Sequence, residues 1–137
     1  RASDRAAQMA TATDIIKGAL RKLGVLASNE EPSAEDATDG LEALNDMCNA
    51  WAAQDIATGF STMTALTDEF ILEERHHGAT KALLAQYVAP NFGKTVSPVL
   101  AKQAYEGLLI LKADYRPLET LQVDCGLLNM PSQRRYR

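Results

Sequence analysis

Hydrophobic and polar residues recur along this chain with the 3.6-residue period of amphipathic helices. The first such segment predicts a helix from about Ala12 to Leu23. Thr11 and Asp14 form a capping box at its start, and Gly24 is the expected left-handed residue after its end. The apolar positions of this helix share one face: Ile15, Ile16, Ala19, Leu20 and Leu23.

A second helix is predicted from about Ala34 to Ala53, with Ser33 and Asp36 as its capping pair. Its apolar positions form a stripe that we expect to be buried: Ala37, Leu41, Leu44, Cys48 and Trp51. Four carboxylates with helical spacing lie on the opposite face: Glu35, Asp39, Glu42 and Asp46. Gly40 costs about 1 kcal/mol relative to Ala inside a helix, so it is a candidate for a close contact between helices.

Residues 56–68 are rich in Thr and predict a loop or a short hairpin. A third helix is expected to begin between Asp68 and Glu73 and to end before Pro90, and Ser97-Pro98 is a good start for a fourth. The inner face of the third is predicted to hold Ala79, Leu83, Leu84, Tyr87 and Val88, and that of the fourth Leu100, Ala104, Leu108, Leu111 and Tyr115. The pattern predicts an all-α fold, a small bundle of about four helices with an extended C-terminal arm.

The 137 residues are predicted to form one domain with two flanking segments. Residues 1–10 are interpreted as a disordered N-terminal extension, 11–115 as the helical domain and 116–137 as the arm. Twelve Asp or Glu residues and no Lys or Arg lie between Lys22 and Arg75, whereas the arm holds four Arg and two acids. An acidic body opposes binding to the phosphate backbone of DNA.

Membrane insertion and secretion have no support in the sequence. No apolar run approaches the roughly 20 residues that span a bilayer, and no signal-peptide pattern is present. The two cysteines, Cys48 and Cys125, lack zinc or C-x-x-C spacing, so we expect reduced thiols in a protein made in the cytoplasm.

The candidates for chemistry are few. His76 and His77 follow Glu73 and Glu74, but H-E-x-x-H is absent, and a solvated helix start explains them better than a metal site. Glu42 with Asp46 could serve a glycoside hydrolase only if one carboxyl lay in a cleft. Trp51 is favoured as a core residue over a ligand platform. The sequence therefore predicts no catalytic residue, no metal and no cofactor.

Several short motifs occur here in a recognisable order. They are A-L-R-K-L-G-V at 19–25, E-P at 31–32, L-E-A at 41–43, Trp51, Q-D-I-A-T-G-F at 54–60 and A-P-N-F-G at 89–93. Over residues 11–115 the chain resembles the phage head-to-tail connector adaptors, the family of the packaged-DNA stabilisation proteins (tail accessory factors) of short-tailed phages.

The resemblance implies a non-enzymatic structural protein of the virion, located at the head-to-tail junction and made in the host cytoplasm. Such adaptors bind the portal protein and further copies of themselves in a ring of about twelve. The ring extends the DNA channel, helps to retain packaged DNA until ejection and offers a platform to the next tail, stopper or nozzle protein. DNA would pass through without specific binding, and no membrane is involved.

The resemblance also implies roles for two sets of residues. The arm would contact the portal through apolar and cationic side chains, namely Leu127, Leu128, Met130, Arg134, Arg135 and Tyr136. The carboxylates Glu35, Asp39, Glu42 and Asp46 would line the channel and repel phosphate.

Simpler interpretations stay open beside these roles. The arm is short and unlike those of the family, and a disordered basic end would also explain it. A solvated helix face would explain the carboxylates. For the whole protein, the alternatives are a small helical DNA-packaging accessory protein and a cell-wall hydrolase.

Overall fold

Four α-helices make up the fold in the computed structural model, which describes residues 10–117. They are α1 (Ala12–Leu23), α2 (Ala34–Ala53), α3 (His77–Val88) and α4 (Pro98–Asp114). Short 3-10 helices at Glu74–His76 and Ala89–Phe92 flank α3. The predicted all-α bundle is thereby confirmed. The expected disorder of the N-terminal extension (apart from Ala10) and the portal contacts of the arm lie outside the described residues.

Side-chain caps fix the helix starts that the sequence predicts. Thr11 Oγ1 accepts a hydrogen bond from the Asp14 N–H (3.4 Å), and the Asp14 carboxylate accepts one from the Thr11 N–H (3.0 Å). At α2 the serine half of the predicted pair is formed, with Ser33 Oγ accepting from the backbone N–H of residue 36 (3.1 Å). Gly24 ends α1 with φ 85°, a conformation that glycine adopts without steric cost.

The start of α3 lies later than the sequence predicts. Its helical turns begin at Glu74 rather than between Asp68 and Glu73. The carboxylate of Asp68 accepts hydrogen bonds from the backbone N–H groups of Thr64 (2.9 Å) and Ala65 (3.0 Å). Asp68 therefore closes a turn of the preceding loop, and the chain then runs without helix until residue 74.

The loop from residue 56 to 73 is packed onto the bundle, and a single isolated bridge, Thr11 to Glu69, is its only strand-like pairing among the described residues. The N–H groups of Ala12 and Thr13 donate to the carbonyls of Asp68 (2.9 Å) and Leu66 (3.1 Å). These donors begin α1 and would otherwise lack partners. Apolar side chains of the loop join the core: Ile56, Met63, Phe70 and Leu72.

Helix α3 lies at the centre and contacts α1, α2 and α4. Two glycines permit close approach between helices. A Cβ at Gly40 would lie 2.5 Å from Cγ2 of Ile16, which confirms the predicted close contact of α2. A Cβ at Gly107 of α4 would lie 2.6 Å from Cβ of Ala79 on α3.

Burial confirms most of the predicted inner faces. Trp51 is 2% exposed and belongs to the core, as expected. Tyr87, predicted to face inward, is 49% exposed, so that prediction is wrong. Thr80 is fully buried in its place on α3, where its hydroxyl donates to the carbonyl of His76 (2.8 Å).

Candidate functional site

The acidic face of α2, defined as Glu35, Asp39, Glu42 and Asp46, is exposed to solvent over its whole length. These positions are separated by four, three and four residues, so the helix brings all four carboxylates to one side. Helix α2 contains no Lys or Arg, and none of the salt bridges among residues 10–117 involves this face. The structure thus places these predicted residues together as an unneutralised row of charge.

The outer face of α4 is a second surface, and it carries four exposed apolar or aromatic side chains. Val99 is 68% exposed, Tyr105 63%, Leu109 49% and Ile110 55%. One ion pair crosses this face, between Lys102 and Glu106 at 3.9 Å. The opposite side of the helix is buried and consists of Leu100, Ala104, Gly107 and Leu111. A helix with apolar residues on both sides is typical of one that is covered on both sides.

An apolar groove of about 340 Å³ lies where α2, α3 and α4 meet. Four of its lining side chains are apolar and buried or half-buried: Met47, Trp51, Leu83 and Leu108. Four others are exposed: Ala50, Gln54, Gln86 and Tyr87. No described residue that lines this groove carries a charge.

A larger, polar cleft of about 1080 Å³ separates the end of α2 from the end of α4. It is lined by Gln54 and Asp55 on one side and by the last residues of α4 and by Arg116 and Pro117 on the other. The described residues end at this cleft, and we therefore name it the exit cleft. Gln54 lines both the exit cleft and the apolar groove, and the two are therefore neighbours.

His76 is fully buried, which makes the predicted solvated helix start wrong for this residue. Its Nε2 lies 3.0 Å from Oδ2 of Asp114, and its ring lies 5.1 Å from that of Tyr115. The contact with Asp114 is poorly aligned for a hydrogen bond, and neither ring nitrogen has another partner. Arg75 adds ion pairs to Glu73 (2.9 Å) and to Asp114 (3.5 Å). The cluster joins the start of α3 to the end of α4.

His77 points away from this cluster. Its Nε2 lies 2.9 Å from the carbonyl oxygen of Leu72, and its ring packs edge-on against Phe70. The two histidines thus serve different contacts, and neither shares a site with the other. Among residues 10–117 no group of three His, Cys, Asp or Glu side chains is arranged to hold a metal ion.

The remaining candidates for chemistry lie in unsuitable surroundings. Glu42 and Asp46 are exposed on an open helix face, whereas a glycosidase acid needs a carboxyl in a cleft. Cys48 is buried in the core, where desolvation raises the pKa of its thiol to about 12 and keeps it protonated. Within the described part of the chain, no helix combines the length and the apolar character needed to cross a membrane.

The outer face of α4 and the apolar groove are the surfaces that the sequence analysis missed. The first had a visible signal, because Val99, Leu109 and Ile110 stand opposite the buried stripe of the same helix. The groove had none, since it depends on how three helices meet. The predicted portal contacts, all beyond residue 117, lie outside the described residues. Comparison with protein-family models finds no match, and comparison with curated proteins finds none either.

Proposed function

We propose that this chain is a non-enzymatic assembly protein of a phage virion, a head-to-tail connector adaptor. The order of its motifs supports this, and the outer face of α4 is the structural observation that carries it. Four large apolar side chains stand exposed on one helix of this small protein. Large apolar side chains grouped on an exposed face are characteristic of interaction surfaces.

The energy available at this face is sufficient for assembly. Burying a side chain such as Val, Leu or Ile contributes roughly 1.5–3 kcal/mol when it is fully exposed beforehand. Val99, Tyr105, Leu109 and Ile110 are about half to two-thirds exposed, so covering them would contribute several kcal/mol per subunit. In a closed ring of about twelve copies, each neighbour contact is reinforced by all the others. Weak contacts between two copies therefore suffice for a stable ring.

The acidic face of α2 supports the channel role. Helix α2 packs on α1 and α3, and α4 packs on α3, so the charged and apolar faces are separate surfaces. One can bind a neighbouring copy while the other remains open. Unneutralised carboxylates along a channel wall would repel DNA phosphates, and packaged DNA would slide past without specific binding.

The partners in this proposal are those that the family resemblance implies. The adaptor would sit at the head-to-tail junction of the virion, after synthesis in the host cytoplasm, between the portal ring and the next tail, stopper or nozzle protein. The arm would contact the portal, with Leu127, Leu128, Met130, Arg134, Arg135 and Tyr136 as its contact residues. Apolar anchors beside Arg donors suit a protein interface.

Electron microscopy of the purified chain mixed with the portal protein of the same phage tests the proposal. Wild-type protein should form rings on portals, whereas a Val99→Glu, Ile110→Glu variant should fail to do so. Ser61→Glu with Thr67→Glu, two exposed loop positions, adds the same charge elsewhere and should assemble normally. Both variants should keep the helical melting transition of wild type, because exposed substitutions shift stability by about 0.5 kcal/mol or less. Full decoration by the α4 variant would refute the proposed interface.

The two alternative functions make different predictions. A DNA-packaging accessory protein should bind duplex DNA at micromolar concentration or tighter near 150 mM salt, whereas the adaptor should not. A cell-wall hydrolase should degrade peptidoglycan and lose that activity in a Glu42→Gln or Asp46→Asn variant. DNA binding or peptidoglycan cleavage by the wild-type chain would replace the adaptor proposal.

A further inference from the structure

We infer that the last turn of α4 is a latch, which opens while the rest of the bundle stays folded. We define this α4 latch as Asp114 and Tyr115 at the end of α4, together with two groups that contact them, His76 and Ala57. Opening it would change the direction in which the chain continues after Pro117. The latch lies within a single subunit, so it is independent of the adaptor proposal.

The end of α4 lacks the glycine cap that ends α1. Gly24 has a left-handed conformation (φ 85°), and its N–H donates to the carbonyl of Arg21. The residue after α4 is Tyr115, with φ −109°, and Pro117 has no N–H with which to pair a helix carbonyl. Helix ends without such a cap fray readily. The last turn of α4 therefore depends on contacts with other parts of the fold.

Contacts from two other parts of the chain hold this turn in place. From the loop after α2, the N–H of Ala57 donates to the carbonyl of Tyr115 (2.9 Å). From the start of α3, Nη2 of Arg75 lies 3.5 Å and Nε2 of His76 lies 3.0 Å from Oδ2 of Asp114. Because all these partners lie outside α4, the contacts break together when the last turn moves away.

His76 is the weak member of this set. Its side chain is fully buried, its contact with Asp114 is poorly aligned for a hydrogen bond, and neither ring nitrogen has another partner among residues 10–117. A buried polar group in this condition destabilises the folded state, because it has lost its hydrogen bonds to water. Opening the latch would hydrate the imidazole. The closed turn is therefore less stable than its set of contacts suggests.

The exit cleft lies on the other side of the same turn. Lys112, Ala113 and Asp114 line this cleft of about 1080 Å³. The side chain of Asp114 is 30% exposed, so it faces solvent on one side and His76 on the other. Movement of the turn would hydrate only these few groups, whereas the buried face of α4 further from the end would stay packed on α3.

Hydrogen exchange of the full chain, resolved by residue with NMR, tests the latch. In wild type the N–H groups of Ala57 and Tyr115 should have the same protection factor, because one opening event exposes both. This factor should be at least about 10-fold lower than that of Ala104, in the middle of α4. Protection relative to Ala104 separates local opening from a change in global stability.

The variant His76→Leu has a matched control, His77→Leu, which makes the same chemical change at the neighbouring position. His76→Leu removes the poorly paired imidazole and should raise both protection factors about 10-fold relative to Ala104, the equivalent of about 1.4 kcal/mol. His77→Leu removes a ring whose Nε2 lies 2.9 Å from the carbonyl oxygen of Leu72, so it should not raise them. Arg75→Met removes the ion pair with the end of α4 and should lower both factors severalfold.

Equal protection of Tyr115 and Ala104 in wild type would overturn the latch, since the last turn would then open only when the whole protein unfolds. Unequal factors for Ala57 and Tyr115 would also overturn it, because the two hydrogen bonds would then break independently. A fall of both factors in His76→Leu would show that the imidazole stabilises the closed turn, contrary to the role assigned to it. The wild-type and Arg75→Met measurements decide the matter even if the buried substitution prevents folding.

Discussion

The close contact between Gly107 of α4 and Ala79 of α3 gives a sharp test of how the bundle is packed. A methyl group on Gly107 would lie 2.6 Å from Cβ of Ala79 and 3.0 Å from its Cα. Real Cβ atoms essentially never approach another atom within 3.0 Å. Because the obstacle includes backbone, Gly107→Ala can be accommodated only if α4 shifts away from α3.

The magnitude follows from two opposed effects. Gly to Ala in a helix interior gains about 1 kcal/mol of helix propensity. Overpacking a tight contact costs typically about 1–3 kcal/mol. Because backbone is part of the obstacle, the cost should fall in the upper part of that range, about 2–3 kcal/mol. We therefore expect Gly107→Ala to destabilise the protein by about 1–2 kcal/mol, against the sign that propensity alone predicts. For a domain of this size the melting temperature should fall by roughly 3–10 °C.

Gly78 provides the matched control. It lies in the first turn of α3, and a Cβ there would meet nothing within 4 Å. Gly78→Ala should therefore stabilise the protein by about 0.5–1 kcal/mol. A double variant combines Gly107→Ala with Ala79→Gly, so that one methyl group is added on α4 and the facing one on α3 is removed. The double variant should recover most of the loss, with a coupling of about 1–2 kcal/mol.

Urea unfolding followed by circular dichroism measures wild type, Gly78→Ala, Gly107→Ala, Ala79→Gly and the double variant, since the slope with denaturant shows whether the folded surface has changed. If Gly107→Ala stabilises the chain as Gly78→Ala does, α3 and α4 are not in close contact at this point. If Ala79→Gly fails to rescue Gly107→Ala, the cost arises elsewhere than at the Ala79 methyl group.

Three further predictions concern the core and pH. Trp51→Ala should destabilise the protein by about 3–5 kcal/mol, a large share of the stability of a small domain. Thermal melting followed by circular dichroism at 222 nm measures this loss. A melting curve like that of wild type would contradict the burial of Trp51. Burial raises the pKa of Cys48 from 9.0 to about 12, so its contribution to stability is complete below pH 9 and is lost as the pH rises toward 12. Cys48 should escape alkylation by iodoacetamide at about pH 8 until the protein unfolds, as peptide mass spectrometry would record. Backbone hydrogen bonds from Ala65 and from Thr64 lower the pKa of Asp68 below its ordinary 3.8, so its contribution is present above pH 3.8 and is lost as the pH falls through the folded pKa. Melting temperatures of Asp68→Asn should therefore depend less on acidity below pH 3.8 than those of wild type.

Local signals account for the parts of the fold that the sequence predicts well. The bounds of α1 and α2 are as predicted, because each begins at a side-chain cap and follows a clear apolar period. No such local signal fixes the start of α3. Asp68 resembles a helix cap in the sequence, but its carboxylate accepts from residues 64 and 65 behind it. A turn therefore competes successfully with the helix for the same side chain.

The way the helices pack together explains why the predicted burial of Tyr87 and the predicted exposure of His76 are wrong. Tyr87 has the spacing of an inward residue, yet it stands at the opening of the groove because α2 and α4 both pack on α3 and do not close over it. His76 has the surroundings of a surface residue in sequence, since it follows two Glu and an Arg. It is buried because the end of α4 covers it and brings Asp114 to within 3.0 Å. Neither outcome can be deduced from periodicity along one segment.

The hydrogen bonds between the start of α1 and the later loop have a consequence for biosynthesis. Helix α1 is among the first parts of the described chain to leave the ribosome, yet the carbonyl that accepts from Thr13 belongs to Leu66, 53 residues later. Until that loop emerges, the N–H groups of Ala12 and Thr13 have only water as a partner. The nascent helix can therefore form only in a frayed state, and its N-terminal turn becomes native when the loop is in place. For the same reason, a proteolytic cut in the loop would loosen the start of α1.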